Sequence, residues 1–251
     1  MTDRPAIEVR GLGKDFGSIR ALDTLDLEVG AGEFFGFLGP NGAGKTTTVH
    51  LLATLLSPSR GTALVDGHDV VRDGLAVRRA IGIVFQDTTL DRDLTVEENL
   101  RFAARLWDLP GRIARPRIEH LLRQFALFDR RRFPVRTLSG GMRRALDIAR
   151  GILHEPKVLF LDEPTAGLDP RARRALWDFI FAFRAASGAT VFLTTHYVEE
   201  AEPCDRVAVL DDGRLAALGT PAELKRAQGV TSLEAVFLAR TGHALGETVG
   251  S

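Results

Sequence analysis

A stretch from Gly39 to Thr47, GPNGAGKTT, constrains the fold of this chain more than any other part of its sequence. It fits the template G-x-x-x-x-G-K-[ST], in which a glycine-rich loop surrounds phosphate oxygens. An apolar run from Glu33 to Leu38 precedes it, as expected of a buried strand. Apolar residues at helical spacing follow it from Val49 to Leu56. This strand-to-helix context favours a phosphate site over a glycine-rich turn with a chance lysine.

The loop supplies both charge and a metal ligand for a bound phosphate chain. Its glycines permit positive φ and leave backbone N–H groups unshielded, and the helix N-terminus attracts anions. Lys45 adds a point charge for the outer phosphates, and the Thr46 hydroxyl is a ligand for Mg²⁺. The predicted nucleotide-binding residues here are Gly39, Pro40, Asn41, Gly42, Ala43, Gly44, Lys45, Thr46 and Thr47.

Polar side chains follow three other apolar strands, predicted at 80–85, 157–161 and 189–195. In chain order these side chains are Gln86, Asp162, Glu163 and His196. The carboxyl ends of parallel strands line one crevice in an open α/β sheet. The sequence therefore predicts that these residues and the phosphate loop meet around one phosphate.

Three of these residues have a chemical role available in such a crevice. Asp162 occupies the setting of the carboxylate that holds Mg²⁺ in phosphate-loop ATPases. Glu163 can accept a proton from an attacking water. His196 can donate a hydrogen bond to the terminal phosphate. The alternative, a strand capped by solvated acids and a structural histidine, is weaker because the phosphate loop lies in the same chain.

A second glycine-opened helix begins within Leu138–Met142, LSGGM. Ser139 is a good N-cap, and Gly140-Gly141 expose further N–H groups. A merely capped helix is the alternative, but two glycines cost about 1 kcal/mol each in a helix. One nucleotide does not need two such cradles, which suggests that the second one serves a nucleotide held by another subunit.

The remaining patterns indicate an α/β chain with a helical insertion. Alternating residues predict half-exposed strands at 6–10 and 25–29, with a turn at 14–17 carrying Phe16, a core or surface residue at even odds. A capping box at Thr95–Glu98 opens a helix through Trp107. A hairpin is predicted at 206–216, and a short C-terminal helix around Leu233–Arg240.

Composition excludes several classes of protein. The 251 residues include 33 Lys+Arg and 33 Asp+Glu, so the basic excess of a nucleic-acid binder is absent. Cys204 is the only cysteine, which excludes an internal disulfide and a multi-cysteine zinc site. No signal-peptide pattern and no run of about 18 to 20 apolar residues occurs, so we expect a soluble, cytoplasmic chain.

These motifs together closely resemble the nucleotide-binding subunit of an ABC transporter over residues 6–220. The matching elements are the phosphate loop, the Q-loop Gln86, the signature 138–142, the Walker B strand 158–163, the D-loop 167–169 and the switch His196. The run from Ser139 to Arg144 and the tail 231–237 resemble drug-export ATPases of the daunorubicin-resistance type.

The resemblance implies a phosphate-loop NTPase (RecA-like) core with an N-terminal antiparallel β subdomain and a helical subdomain. The ATPase domain would cover residues 1–230, with the core at 1–86 and 156–230 and the helical subdomain at 87–155. A short helix and tail would occupy 231–251. The implied cofactors are ATP and Mg²⁺, and catalysis would involve Glu163, His196 and Gln86.

The family further implies that two such subunits, here expected to be identical, sandwich two ATPs head to tail. Each ATP would lie between one phosphate loop and the partner's Ser139, Gly140 and Gly141. Phe16 would stack on adenine, and Gln86 would contact Mg²⁺ and sense an integral membrane permease. The subunit would then lie in the cytoplasm, peripheral on the inner face of the cell membrane.

Two positions depart from the commonest family pattern. Phe16 replaces tyrosine and keeps a stacking face, whereas Met142 replaces glutamine and removes one polar contact. Non-transport relatives remain the alternative, but translation-type members carry two cassettes and repair-type members a long coiled coil. A GTPase would need an Asn-Lys-x-Asp motif, which is absent. Import and export both remain open, and export rests on the subgroup resemblance.

Overall fold

A computed structural model describes residues 4–242, which form two sheets and a set of helices. The four-stranded antiparallel sheet has the order β2-β1-β4-β5, and the six-stranded sheet has the order β10-β9-β3-β8-β7-β6. The strands are β1 Ile7–Phe16, β2 Ile19–Val29, β3 Phe34–Leu38, β4 Arg60–Val65, β5 His68–Asp69, β6 Ile81–Val84, β7 Val158–Asp162, β8 Thr190–Thr195, β9 Arg206–Asp211 and β10 Arg214–Gly219.

The larger sheet is parallel apart from its edge strand β10, which pairs antiparallel with β9. Its central strands β3, β7 and β8 are buried along their whole length, as expected for a parallel sheet covered on both faces. Phe34 and Leu38 face the helices, whereas Phe35 and Phe37 face the smaller sheet. Because the strands are parallel, their carboxyl ends lie at the same edge of the sheet.

The N-terminal hairpin confirms both predicted strands and corrects their lengths. Its register pairs Phe16 with Ile19, so Lys14–Phe16 belongs to β1 and is not a turn. The chain reverses at Gly17 and Ser18, where Gly17 has φ +60°. A two-residue reversal with positive φ suits a hairpin, which explains why the strands continue to it.

The helices cover both outer faces of the larger sheet and form the insertion between β6 and β7. They are α1 Lys45–Leu52, α2 Gly74–Ala80, α3 Val96–Leu106, α4 Gly111–Gln124, α5 Gly140–Ile152, α6 Pro170–Ser187, α7 Val198–Ala201, α8 Pro221–Gln228 and α9 Leu233–Thr241. None of them, across 4–242, has both the length and the apolar character needed to cross a membrane.

Helix α1 is shorter than the apolar spacing predicted. It ends at Leu52, and Thr54 has φ +64°, so Leu56 lies beyond the helix although it still packs against the core. Chain reversal after two turns of helix is therefore the reason that the predicted helical face stops early.

The helical insertion follows its sequence signals closely. Thr95 and Glu98 form the predicted capping box at the start of α3, and α4 begins directly after Pro110. Trp107, at the end of α3, stacks on the His154 ring with 3.9 Å between centroids. His154 Nε2 lies 2.8 Å from the Ile81 carbonyl oxygen, and burial lowers the pKa of His154. This stack joins the insertion to the parallel sheet.

The C-terminal helix is confirmed as α9, and residues 243–251 of the predicted tail lie outside the described residues. Three helices, α2, α7 and α8, were not predicted. The first two are only 7 and 4 residues long, too short for a clear apolar period. The third begins with a Thr220–Glu223 capping box, a signal that was present in the sequence.

Candidate functional site

The loop from Gly39 to Gly44 joins β3 to α1, and its glycines are required by its shape. Gly44 has φ +102°, and a Cβ there would lie 2.6 Å from the Ala21 carbonyl oxygen. A Cβ on Gly39 would lie 2.5 Å from the Leu210 carbonyl oxygen. Gly42 has φ +82°. Any side chain at these positions would clash or strain the backbone, so the loop keeps its N–H groups open.

Lys45 is only 5% exposed and is held from two sides. Its Nζ donates to the carbonyl oxygens of Gly39 at 2.8 Å and Pro40 at 3.0 Å. It also lies 3.6 Å from Glu163 Oε1. Burial lowers the pKa of Lys45, and the Glu163 carboxylate partly opposes that shift. The ammonium group is thus fixed at the loop by groups that a phosphate would replace or join.

Asp162 is the last residue of β7 and is 1% exposed. Its Oδ1 lies 3.4 Å from Thr46 Oγ1 and also accepts a hydrogen bond from the Thr194 hydroxyl. Thr194 lies opposite Asp162 in the β7–β8 pairing. Two oxygen donors from α1 and β7 therefore meet, as Mg²⁺ requires, and Thr194 orients one of them. No sequence pattern had indicated this orienting threonine.

Glu163 adopts a left-handed backbone conformation with φ +44°. For a residue other than glycine this costs about 1–3 kcal/mol. Its N–H donates to the Thr194 carbonyl oxygen at 3.1 Å. Glu163 Oε1 lies 3.1 Å from His196 Nδ1, close enough for an ion pair but not aligned as a hydrogen bond. Burial raises the pKa of Glu163, but His196 and Lys45 together outweigh burial and lower it. The carboxylate is thus kept charged.

A cavity of about 510 Å³ lies over the loop. Residues of the loop and of α1 line it together with Gln86, Glu163 and His196, as predicted, whereas Asp162 is not part of the lining and contacts Thr46 instead. Ala21, Ala166 and Tyr197 also line it and were not predicted. Ala43 is buried beneath the loop.

Phe16 lies at the end of β1 and is 45% exposed, with Lys14 Nζ 5.0 Å from its ring centroid. It does not line the cavity over the loop. The ring is therefore a surface feature rather than core.

The second glycine-opened helix start lies apart from this cavity. The Ser139 hydroxyl accepts a hydrogen bond from the Met142 N–H at 3.3 Å and so caps α5, as predicted. Ser139 and Gly140 are exposed, and none of Ser139–Gly141 lines the cavity. A Cβ on Gly140 would meet nothing nearer than Arg143 Nη2 at 4.0 Å. Nothing in the fold demands a glycine at this position.

A scan against protein families matches residues 22–166 to the ABC transporter family. This chain belongs to that family. The matched region begins on β2 and contains the phosphate loop, the insertion and the β7 strand end.

Several known proteins resemble the chain over most of its length. A daunorubicin resistance ATP-binding protein of Streptomyces coeruleorubidus is 50% identical over 233 residues, 92% of this chain and 73% of that protein. A doxorubicin resistance ATP-binding protein of Mycobacterium tuberculosis is 46% identical, with 93% and 71% covered. A Nod factor export ATP-binding protein of Ralstonia nicotianae is 44% identical, with 88% and 68% covered.

Solved structures give the same fold. The ATP-binding subunit of an ABC transporter superposes with a TM-score of 0.85 at 32% identity, covering 93% of this chain and 98% of that one. The cbiO1 protein of Clostridium perfringens, part of the ABC transporter complex cbiONQ, gives a TM-score of 0.81 at 31% identity, covering 90% and 92%. The predicted phosphate-loop α/β fold is thus confirmed.

The ABC ATPase site of this chain fits ATP with Mg²⁺. Bare loop amides and buried Lys45 suit phosphate oxygens, and the Thr46–Asp162 oxygen pair suits a hard cation. Within 4–242 no group of three or more His, Cys, Asp or Glu side chains could hold a metal alone.

Proposed function

We propose that this chain is the ATP-hydrolysing subunit of an exporter for a drug-like or other hydrophobic substrate. Two copies work together on a separate membrane permease, at the inner face of the cell membrane. Support for export comes from relatives named for daunorubicin resistance and Nod factor export. The ATPase unit covers residues 1–230, with its helical part at 87–155 and a C-terminal helix and tail at 231–251.

Each site residue takes a distinct role in this proposal. The loop and Lys45 hold the phosphates, while Thr46, Asp162 and Gln86 hold Mg²⁺. When bound, Mg²⁺ neutralises negative charge on the phosphate oxygens. Glu163 takes a proton from the attacking water, because it is charged and lies at the cavity wall.

Two further contacts complete the nucleotide site. His196, beside Glu163, donates a hydrogen bond to the terminal phosphate. Phe16 stacks on adenine with its exposed ring face.

One observation supports the shared site: Ser139 and Gly140 form an exposed helix start, and none of Ser139–Gly141 lines the cavity of its own chain. A helix N-terminus with bare amides binds anions, yet the nearest loop for phosphate is already complete without it. The glycines therefore face ATP held by the second copy, and each ATP lies between two chains.

Complementation between two inactive variants tests this arrangement. Lys45→Ala removes the phosphate charge, and Ser139→Arg blocks the second helix start with bulk. In a mixed dimer one site combines both defects, while the other combines an intact loop with an intact partner helix. Mixing should therefore restore ATPase activity, and each variant alone should stay inactive.

The size of the mixed dimer population must be measured together with turnover. Analytical ultracentrifugation with ATP gives that population, and dilution of the wild-type protein gives its concentration dependence. No recovered activity despite a demonstrated mixed dimer, with activity per subunit unchanged on dilution, would contradict a shared site. Hydrolysis sites built within one chain give that result.

The surface from Asp87 to Leu100 is the proposed docking region for the permease, because it follows Gln86 and leads into the insertion. Thr89 is a poor probe of docking, since its carbonyl and hydroxyl both accept hydrogen bonds from Arg150. Arg92 is exposed, so Arg92→Glu should keep basal ATPase activity and abolish export. Export that survives this change and a block substitution of 91–93 would place docking elsewhere.

Purification from membranes tests the exporter role as a whole. Tagged protein should bring down an integral membrane protein in an ATP-sensitive complex, and cells lacking the chain should accumulate a hydrophobic drug. Recovery of a solute-binding protein with the complex, and uptake rather than efflux, would instead support an importer.

A further inference from the structure

Arg144 lies on α5, five residues after Ser139, and is 5% exposed. Its guanidinium reaches out of the helix into the parallel sheet, where its partners are backbone carbonyls. Nε donates to Pro164 O at 2.7 Å, and Nη2 donates to Asp162 O at 3.2 Å. Nη1 donates to Phe85 O and, at 3.5 Å, to Gln86 O. One side chain thus joins α5 to the ends of two strands.

These carbonyls lie where the active site needs a fixed backbone. Asp162 and Pro164 flank Glu163, whose left-handed conformation must be held by its surroundings. Phe85 and Gln86 form the end of the β6 run, where Gln86 enters the cavity. A planar guanidinium with donors in a fixed fork suits several acceptors at once.

A second arginine of α5, Arg150, also binds a backbone carbonyl, in the loop that follows Gln86. Arg150 Nη1 donates to the Thr89 carbonyl oxygen at 2.7 Å. Between the two arginines lies Asp147, 1% exposed, with Oδ1 2.7 Å from Arg150 Nη2 and Oδ2 3.8 Å from Arg144 Nη1. Burial raises the pKa of Asp147 and lowers that of Arg144, and their mutual charges oppose both shifts. The Asp147 carboxylate thus offsets the positive charges of Arg144 and Arg150, both of which bind backbone carbonyls.

We propose that Arg144 is a positioning residue: it fixes the backbone around Glu163 and at Gln86 to the helix whose start carries the partner-facing glycines. A displacement of α5 then moves Glu163, the general base of the same chain's site. In the other direction, a displacement of the loop at Gln86 moves Gly140 and Gly141, which face the ATP bound by the second copy. The proposal rests on the ATPase and shared-site parts of the proposed function. It assigns to one buried side chain the mechanical link between the two.

The test separates ATP binding from turnover. Arg144→Met keeps an unbranched apolar stem and removes every donor, whereas Arg144→Lys keeps the charge but replaces the planar fork of donors with one ammonium group. Neither change touches the phosphate loop, so affinity for a fluorescent ATP analogue should stay within about threefold of wild type. The kcat for ATP should fall about 10- to 100-fold in Arg144→Met, as expected when reacting groups are misplaced. Arg144→Lys should recover part of it.

A second measurement, of ATP-dependent dimerisation, reports on the position of the α5 start rather than on that of Glu163. Glu163→Gln suppresses turnover and lets ATP accumulate a dimer. Adding Arg144→Met to that variant should raise the ATP concentration needed for dimerisation about tenfold or more, since the glycines lose their fixed position. Sedimentation with and without ATP measures this change, which a purely local loss of packing at Glu163 would not produce.

Arg184→Met is the matched control. Arg184 also joins separate elements, donating to Gly32 O at 2.9 Å and pairing with Asp205 Oδ2, but it lies at the amino ends of β3 and β9. The Arg184→Met change should lower the melting temperature without lowering kcat. A kcat for Arg144→Met within about twofold of this control, or an equal loss of ATP affinity and kcat, overturns the proposal.

The test still works if one variant fails to fold, and failure of this proposal can be distinguished from failure of the proposed function. If Arg144→Met does not fold, Arg144→Lys and the partly exposed Arg150→Met carry the test, each with reduced kcat and unchanged ATP affinity expected. Wild-type protein that neither binds nor hydrolyses ATP contradicts the proposed function itself. Active wild-type protein with variants that behave like Arg184→Met contradicts only the role of Arg144.

Discussion

The two glycine-opened helix starts of this chain are built in opposite ways. Helix α1 has no side-chain cap; Gly44 precedes it at φ +102°, and the first residue, Lys45, is buried. Helix α5 has an ordinary N-cap in Ser139, in an extended conformation, and its first residue Gly140 is exposed. The fold demands glycine before α1, whereas at the start of α5 it leaves Gly140 free of contacts and constrains only Gly141, where a Cβ would lie 2.9 Å from Ala172 Cβ.

This difference separates glycines that shape a site from glycines that clear space for one. At α1 the backbone conformation creates the phosphate cradle, and Lys45, Glu163 and His196 already complete one wall of it. At Gly140 of α5 the missing side chain has no benefit inside the chain and costs helix stability. The benefit must come from a group outside the chain, which the proposed partner ATP supplies.

The largest expected effect is on the α1 site, through its base. Glu163→Gln should lower kcat by about 10²–10⁴-fold, the usual contribution of general base catalysis. ATP binding should persist because Lys45 and the loop are intact, and ATP should then accumulate the dimer. Single-turnover hydrolysis and sedimentation measure both. Near-normal turnover would show that another group takes the proton.

An alanine at each glycine sharpens the comparison itself. Gly44→Ala should cost about 1–3 kcal/mol of stability through strain and abolish ATP binding. Gly140→Ala should instead keep or raise stability, by up to about 1 kcal/mol, because alanine favours helix. In the Glu163→Gln background it should still weaken ATP-dependent dimerisation about tenfold, through an overpacked contact worth about 1–3 kcal/mol.

Thermal unfolding and sedimentation of the two variants decide the matter. A Gly140→Ala protein that dimerises normally would remove the evidence that this glycine faces a ligand on the second copy. A Gly44→Ala protein that binds ATP with normal affinity would show that the loop tolerates a side chain.

The smallest effect concerns the caps. Ser139→Ala and Thr95→Ala each remove an N-cap hydroxyl and should each cost about 0.5–2 kcal/mol of stability. Only Ser139→Ala should weaken ATP-dependent dimerisation, by about two- to tenfold, the worth of one hydrogen bond. Equal effects of both variants on dimerisation would reduce Ser139 to a cap.

Much of the fold could be predicted because its signals are local. The buried strands of the parallel sheet are continuous apolar runs, and the α3 capping box lies within four residues. The hairpin length could not be predicted, because alternation fades near Phe16 and the reversal depends on Gly17 alone. Helices α2 and α7 are held by tertiary packing, since neither is long enough to form by itself.

The site residues also fall into two groups, those indicated by local sequence patterns and those defined by contacts with distant residues. Strand ends identified the cavity residues Gln86, Glu163 and His196, and Asp162 beside Thr46, because topology, not side-chain detail, brings them together. Thr194 and Arg144 were missed because their partners lie 32 and up to 59 residues away and include backbone atoms. A backbone carbonyl carries no mark in the sequence, so an arginine that binds it looks like any helical arginine.

The Trp107–His154 stack makes the junction between insertion and sheet visible to light. The chain has 2 tryptophans, and Trp177→Phe would leave Trp107 as the only indole emitter. Because burial lowers the pKa of His154, the stacked imidazole is uncharged at neutral pH and does not quench as an imidazolium would. Separation of the two rings changes the emission of Trp107 without any added dye. The protein therefore contains its own fluorescent gauge of how the insertion sits on the sheet.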